Sequence, residues 1–294
     1  MAGWIETYRG VVNAWETDVV DHFTVAYYFD RFADASLAIM EHLDLGPSYI
    51  AAEGKTCASV DCYVRYSQEL RAGDAFHIVS APIDANEKGL KLGHKVINSA
   101  TGGVCATMEQ FVLHFDTRAR RAVPLPAPRL AAVREQTVAW DGEPRQTRPE
   151  PEDGPAFIDS ARDSTKPWEI DLLGHVGFQF YVHRFSAGAL QFMAAIGLTQ
   201  EFLREAKRGF STFEFQMRFR RELRAGQFVK VRTALTHLGG SSLCMLHRMF
   251  DAKSGEALAQ LSQFGVLLDM QARRPARLPD DIRARAEARV AKAA

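Results

Sequence analysis

The fold of this chain is decided by the segment ETDVVDHFTVAYYFDRF at residues 16–32, which is repeated as EIDLLGHVGFQFYVHRF at residues 169–185. In each copy a histidine follows an aspartate by four positions, as in Asp18 and His22. An aromatic-rich stretch suited to a helix comes next, and a helix N-terminus is where an anion or a polarised carbonyl is most easily held. We therefore expect the chemistry of the chain to be centred on these two segments.

The repeat extends well beyond the two segments. Asp18 and Asp171 are 153 positions apart (171 − 18), and the same separation holds without a gap from residue 16 to residue 126. It relates the sequence ELRAG at residues 69–73 to an identical ELRAG at residues 222–226. Such self-similarity indicates a duplicated structural unit, so the chain is predicted to contain two domains of one kind.

Each unit is predicted to contain one long helix followed by a run of strands. A short strand over residues 11–17 precedes a helix over residues 24–43, with counterparts at 165–170 and 177–196. Apolar residues of the helices recur at roughly helical spacing: Tyr28, Phe32, Leu37 and Met40, then Tyr181, Phe185, Leu190 and Met193. Four alternating segments after each helix predict an antiparallel meander. This order favours an α+β fold, with one helix packed on a curved antiparallel sheet.

Prolines mark the boundary between the units. Several of them between positions 124 and 155 interrupt a charged stretch that has few large apolar residues. We assign residues 1–127 to the first domain, 128–155 to a proline-rich linker, 156–270 to the second domain and 271–294 to a helical tail.

Composition limits the partners and the location. The 36 basic and 36 acidic residues cancel, which gives no reason to expect a nucleic acid or a membrane surface as a partner. No apolar run approaches the roughly 20 residues of a membrane span, and no secretory signal is recognised, so a cytoplasmic protein is expected. The four cysteines lack metal-ligand spacing, and we expect buried, reduced thiols and no metal site.

The helix-start residues resemble a known family. The signature Glu-Thr-Asp-x-x-x-His-Phe-x-x-Ala-Tyr-Tyr at residues 16–28, and Asp-x-x-Gly-His-Val at residues 171–176, resemble the start of the central helix in the hot dog fold. The chain is similar to acyl-CoA thioesterases of the 4-hydroxybenzoyl-CoA thioesterase type, and its first unit to thioesterase modules of carnitine and betaine breakdown. The resemblance covers residues 11–126 and 165–279. It implies two tandem hot dog domains that pair within one chain, with acyl-thioester sites between them.

The resemblance also implies the site residues. Asp18 and Asp171 would each act as base or nucleophile, and backbone N–H groups near residues 25–27 and 178–180 would stabilise the oxyanion. His22 and His175 are expected to orient the substrate or the aspartate. The expected substrate-binding residues are Asp61, Glu214, Thr24, Tyr27, Gly174, Gln179, Arg65 and Arg218. Simpler roles stay open: helix capping for the aspartates, structural histidines, and solvent-facing positions for the strand carboxylates and arginines.

The two copies are not identical. Asp21 stands in the first unit where Gly174 stands in the second, and Thr24 where Gly177 stands. Because glycine permits a close backbone approach, we expect the better oxyanion geometry in the second unit.

The function expected is hydrolysis of a short-chain or small acyl-CoA, aromatic acyl groups included, to the free acid and CoA. No cofactor is expected, since CoA is part of the substrate. An enoyl-thioester hydratase or dehydratase is a second hypothesis, although the Asp-x-Asn-Pro-x-His pattern usual in that class is missing from both segments. A non-catalytic acyl-CoA binder is a third. A homodimer of the two-unit chain stays open.

Overall fold

A computed structural model of the chain describes residues 3–18 and 20–292. The chain forms two compact units, which divide between Pro144 and Arg145. Each unit is described by itself.

Unit 1 is an antiparallel sheet with one long helix. Its strands pair in the order β1-β3-β4-β5-β2, and a short strand, β6, pairs with β5. Its elements in chain order are β1 (Ile5–Val11), α1 (Val25–His42), α2 (Pro47–Glu53), β2 (Lys55–Tyr66), β3 (Ala75–Asn86), β4 (Gly89–Asn98), β5 (Val104–Asp116), β6 (Arg121–Ala122) and α3 (Ala127–Glu135).

Unit 2 repeats this plan element by element. Its strands pair in the order β7-β9-β10-β11-β8, and β12 pairs with β11. Its elements are β7 (Ile158–Ser164), α4 (Phe178–Ala195), α5 (Gln200–Glu205), β8 (Arg208–Phe219), β9 (Phe228–Leu238), β10 (Ser242–Asp251), β11 (Ala257–Asp269), β12 (Arg274–Pro275) and α6 (Asp280–Glu287).

The long helices and the meander are confirmed, but the short strand before each helix is wrong. Residues 14–16 form a 3-10 turn, Ala14–Glu16, and the first strand ends earlier, at Val11. The Glu16 side chain folds back onto the backbone N–H of Asn13, 2.8 Å away, and so closes a turn where the sequence pattern predicts a strand. The short helices α2 and α5 were not predicted.

Each long helix buries one face in its own unit. In α1 the buried residues follow the spacing of a single helix face: Ala26, Tyr28, Phe29, Phe32, Ala35, Ser36, Ile39 and Met40. Leu37 and Leu190 were predicted in the same stripe and are wrong, because they are 47% and 50% exposed. The small residues Ser36 and Ala189, one position earlier, occupy the inner face instead.

A row of buried and half-buried polar side chains crosses each sheet beneath the helix. In unit 1 Ser80 Oγ lies 2.7 Å from both Thr7 Oγ1 and His94 Nδ1. His94 Nε2 then lies 3.1 Å from Gln110 Oε1, and Gln110 donates to Ser59 Oγ at 3.1 Å. One residue therefore comes from each of the five strands. In unit 2 the row consists of Ser160, Thr233, His247, Gln263 and Thr212.

The chain after each sheet packs back on its own unit. Leu130 and Val133 of α3 join the core of unit 1, and Ile282 and Ala286 of α6 join that of unit 2. The region predicted as a linker therefore begins with a packed helix.

Candidate active site

A tight loop precedes each long helix, and we call residues 17–23 and 170–176 the pre-helix loops. An isolated bridge closes each loop, between Thr17 and Phe23 and between Ile170 and Val176. The aspartate N–H donates to the histidine carbonyl at 2.8 Å in both loops. The loops therefore place an aspartate just outside a helix N-terminus, as the sequence predicts.

The aspartate side chains close the same loops from inside. Asp18 Oδ1 accepts from the N–H groups of Val20 and His22, at 3.0 and 3.1 Å. Asp171 Oδ1 accepts from the N–H groups of Leu173 and His175, at 2.8 and 3.4 Å. One oxygen of each carboxylate is thus bound by the backbone, which fixes the direction of the other oxygen.

The loops share a left-handed residue. Asp21 has φ 60° and Gly174 has φ 76°. A Cβ at Gly174 would meet nothing within 4 Å, so this glycine provides a positive φ and not a close approach. Aspartate is among the few other residues that tolerate this region, which is why both loops have a left-handed residue at this position despite the substitution.

An ion pair between a buried glutamate and a helix arginine anchors each loop to its helix. Glu16 pairs with Arg31, and Glu169 pairs with Arg184, which lies 3.0 and 2.8 Å from its two carboxylate oxygens. The carbonyls of Glu16 and Glu169 in turn accept from the N–H of residue 24 or 177, at 3.0 and 2.9 Å. Sequence reasoning missed this role. The signal was available, because the glutamate and the arginine recur together in both copies.

The two histidines have different partners. His22 Nε2 lies 3.1 Å from Glu69 Oε1, close enough for an ion pair although not aligned as a hydrogen bond. His175 Nδ1 instead lies 3.1 Å from Oδ2 of its own Asp171. Glu69 belongs to the ELRAG turn, which is bound to the loop because Phe23 N–H donates to the Leu70 carbonyl at 2.7 Å. Glu69 is therefore a site residue that the sequence analysis used only as a repeat marker.

The helix N-termini carry backbone donors. Neither N-cap residue, Thr24 or Gly177, places a side-chain acceptor on the first turn. Tyr27 N–H donates to the Thr24 carbonyl at 3.0 Å, and Phe180 N–H to the Gly177 carbonyl at 3.0 Å. The donors that suit an oxyanion are therefore the N–H groups ahead of them in the first turn, which a helix leaves without intrahelical partners.

The pattern of one protein family matches this chain twice. The family is described as the thioesterase-like superfamily, and the matches cover residues 12–136 and 165–286. The chain belongs to the thioesterase-like superfamily. This membership confirms both the suspected family and the tandem repeat.

Curated relatives of the superfamily match over the length of about one unit. The betainyl-CoA thioesterase of Pseudomonas aeruginosa is 30% identical over 133 residues, which are 45% of this chain and 84% of that protein. The L-carnitine dehydrogenase/betainyl-CoA thioesterase of Rhizobium meliloti is 30% identical over 123 residues, 42% of this chain and 25% of that protein. This chain therefore spans about a quarter of the length of the Rhizobium meliloti protein.

Solved structures match over nearly the whole chain. A putative oleoyl thioesterase from Lactobacillus plantarum has a TM-score of 0.71 at 15% identity, over 91% of this chain and 99% of its own. The 12:0-ACP thioesterase from Umbellularia californica has a TM-score of 0.70 at 13% identity, over 93% and 95%. At these identities the likeness concerns the fold, and it confirms the α+β fold of two tandem hot dog domains.

Some expected substrate-binding residues lie at the start of the long helices α1 and α4. Thr24 and Tyr27 are half-buried in the first turn of α1 or beside it. Gln179 folds over the backbone before it, since a Cβ at Gly177 would lie 2.6 Å from its Oε1. That oxygen is buried and makes no hydrogen bond within residues 3–18 and 20–292.

The other expected residues lie on β2 and β8, away from the pre-helix loops in sequence. Asp61 is half-buried opposite Phe111 of β5. Glu214 is 1% exposed and accepts from Arg148 Nε at 2.8 Å. Both arginines are paired with carboxylates of the segment predicted as a linker, Arg65 with Glu143 and Arg218 with Glu150, each at 2.6 Å. Three of these four side chains are therefore paired with residues of their own unit.

The cysteines are buried free thiols, as predicted. Burial raises the pKa of the Cys57 thiol to about 12, so it is protonated at neutral pH. Within the described part of the chain, no three acidic, histidine or cysteine side chains are placed to hold a metal ion. No described helix is long and apolar enough to span a bilayer.

Proposed function

We propose that this chain is an acyl-CoA thioesterase that hydrolyses a small acyl-CoA, with Asp18 as the general base. The observation that carries the proposal is the Asp18 carboxylate. Its Oδ1 is held by two backbone N–H groups, and its Oδ2 makes no hydrogen bond or ion pair with the described residues. An exposed carboxylate oxygen just before a helix N-terminus without a side-chain cap is suited to activate water against a polarised carbonyl.

The reaction uses the first-turn N–H groups of α1 and the Asp18 carboxylate. First-turn N–H groups of α1 donate hydrogen bonds to the thioester oxygen as negative charge develops on it. A water attacks the carbonyl carbon and gives its proton to Asp18 Oδ2. The C–S bond then breaks, the thiolate takes that proton, and the free acid and CoA leave.

Asp171 is less suited to this role. Its Oδ1 accepts from Leu173 N–H, and its Oδ2 lies 3.1 Å from His175 Nδ1. Both oxygens are therefore engaged within the loop, so that accepting a proton from water requires the histidine contact to break. We assign the principal hydrolytic role to unit 1, contrary to the expectation from Gly174.

His22 supports the first site. Its ring Nε2 faces Glu69, and its backbone N–H donates to Asp18 Oδ1. The histidine therefore links two carboxylates, and it is proposed to hold the loop in the geometry that presents Asp18 Oδ2.

The relatives and the resemblance support the proposed substrate class. Two curated relatives act on betainyl-CoA according to their names, at 30% identity. A short acyl group with a quaternary ammonium is therefore the first candidate, ahead of short aliphatic and aromatic acyl groups.

The test is hydrolysis of an acyl-CoA panel by the wild type, Asp18→Asn, Asp171→Asn and the double variant. Loss of a general base lowers kcat by roughly 10²–10⁴-fold, which is expected for Asp18→Asn. Asp171→Asn is expected to keep most of the activity. Asp21→Asn is the matched control, since Asp21 is an exposed carboxylate of the same loop. Full activity in the double variant would overturn the assignment.

A further inference from the structure

A tryptophan is exposed directly before each pre-helix loop. Trp15 is 73% exposed and Trp168 is 74% exposed, and they are equivalent by the repeat (168 − 15 = 153). The other two tryptophans, Trp4 and Trp140, pack near one another with ring centroids 6.1 Å apart. Indole is mostly buried in folded proteins, so two equally exposed copies at equivalent positions point to a ligand.

The backbone that carries each tryptophan is fixed. Trp15 is the middle residue of the 3-10 turn Ala14–Glu16, and Trp168 is the middle residue of Pro167–Glu169. The glutamate that ends each turn is the buried partner of a helix arginine. A planar side chain on a fixed backbone loses little conformational entropy when a flat ligand stacks on it.

An exposed arginine lies on the adjoining ELRAG turn. Gly73 N–H donates to the Val12 carbonyl at 2.9 Å, and Gly226 N–H to the Thr165 carbonyl at 3.0 Å. These bonds hold the turn against the segment that leads to the tryptophan. The arginines of the turns, Arg71 and Arg224, have side chains 52% and 62% exposed.

These arginines are available to an anionic ligand. Arg71 lies 3.3 Å from Glu69, and Arg224 lies 3.4 Å from Glu222, both at the protein surface. Exposed pairs of this kind contribute about 0–1 kcal/mol and are readily exchanged, whereas a guanidinium binds phosphate strongly.

We propose that Trp15 with Arg71, and Trp168 with Arg224, form nucleotide subsites in which the indole stacks on the adenine of CoA and the guanidinium binds its phosphates. The inference rests on the proposed function, which supplies a substrate that carries an aromatic base and phosphates. Each tryptophan stands three residues before the loop aspartate. This places the nucleotide beside the pre-helix loop and leaves the acyl-pantetheine arm to reach the helix N-terminus.

Calorimetric titration tests the subsites without requiring turnover. The probes are CoA, adenosine 3′,5′-bisphosphate and pantetheine, and the proteins are the wild type, Trp15→Ala, Trp168→Ala and the double variant. Stacking of a base on an aromatic ring contributes enough that its loss weakens affinity about tenfold or more. We expect that loss for CoA and for the bisphosphate in the double variant, and no change for pantetheine.

The controls use another exposed apolar pair. Leu37→Ala and Leu190→Ala remove side chains that also recur in both units and are about half exposed, and they are expected to leave CoA affinity unchanged. Thermal unfolding checks that all variants are folded. With adenosine as a fourth probe, Arg71→Ala combined with Arg224→Ala should weaken the binding of the bisphosphate and leave the binding of adenosine unchanged.

Any of three results in the double tryptophan variant would overturn the subsites. The first is an unchanged affinity for CoA, and the second is a loss of pantetheine affinity equal to the loss of CoA affinity. The third is a change of oligomeric state with CoA affinity preserved. Failure of the wild type to hydrolyse any acyl-CoA would instead sink the proposed function, and the CoA titration would still decide the subsites.

Discussion

The two pre-helix loops share their backbone hydrogen bonds but differ in the partners of their side chains. Both hold an aspartate by its Oδ1, and both are anchored by a buried glutamate–arginine pair. In unit 1 the histidine side chain turns to Glu69 and leaves Asp18 Oδ2 open, whereas in unit 2 it turns to Asp171 itself. The duplication has therefore kept the scaffold of the site in both units, while a single side-chain direction separates an available carboxylate from an engaged one.

The largest expected difference in stability concerns the anchoring arginines. Arg184 is 4% exposed and also donates to the carbonyls of Ser164 and Phe180, at 3.1 Å each, while Arg31 is 21% exposed. Removing one partner of a buried ion pair costs about 3–5 kcal/mol. We expect Arg184→Ala to lower the free energy of unfolding by that amount, and Arg31→Ala by less, in urea denaturation.

Arg162→Ala is the control for this comparison, because Arg162 pairs with Asp159 at the surface and is 76% exposed. It is expected to change the free energy of unfolding by less than about 1 kcal/mol. An equal loss for all three variants would show that the buried pairs do not anchor the loops.

A second comparison concerns the buried histidines of the polar rows. Burial lowers the pKa of His94 to about 4 and that of His247 to about 3, so both are neutral in the fold. The unfolded chain binds a proton at each histidine near pH 6.5, and stability is therefore complete above that pH and lost as the pH falls toward the folded pKa. The loss reaches on the order of 3 kcal/mol per histidine.

Urea denaturation between pH 7.5 and 4 measures this loss. His94→Gln and His247→Gln should each flatten the fall in the free energy of unfolding below pH 6.5, and the effect should be larger for His247. His42→Gln, an exposed position, should leave the slope as it is. An unchanged slope in both buried variants would contradict the neutral, buried state.

A third comparison tests the partner of each histidine. Glu69→Gln removes the charge that faces His22, and we expect kcat to fall by about tenfold, the loss of roughly one interaction with a charged group. KM should stay nearly constant, because the substrate does not need that contact to bind. Glu222→Gln, the equivalent change in unit 2, should leave kcat unaltered. Equal effects of the two variants on kcat would mean that the units do not differ as the histidine directions indicate.

The smallest effect concerns the left-handed residue of each loop. Asp21→Gly relieves a positive φ and should change the free energy of unfolding by less than about 1 kcal/mol, while Gly174→Ala introduces that strain and should cost about 1 kcal/mol. Both shifts are measured by thermal unfolding. A large loss of activity in Asp21→Gly would show that Asp21 itself contributes to the site.

Much of this architecture could be predicted from the residues. The repeat and the helical spacing predicted both long helices to within one residue at each end, because apolar periodicity reports local geometry directly. The predicted strand at residues 11–17 was wrong because Glu16 is bound by Asn13 and by Arg31, which is 15 positions away. Leu37 was misplaced because the small Ser36 takes the inner position through bonds to Phe32 and Gln110.

The sequence by itself determined that two units of one kind exist, that each has a central helix, and that an aspartate and a histidine stand before it. These are properties of spacing and periodicity, and they are carried by neighbours in the chain. Only the tertiary structure decided that Glu69 faces His22, that His175 faces Asp171, and that Arg65 and Arg218 are paired with carboxylates. The physical reason is that a side chain's direction and partner depend on packing between residues far apart in sequence, which no local pattern records.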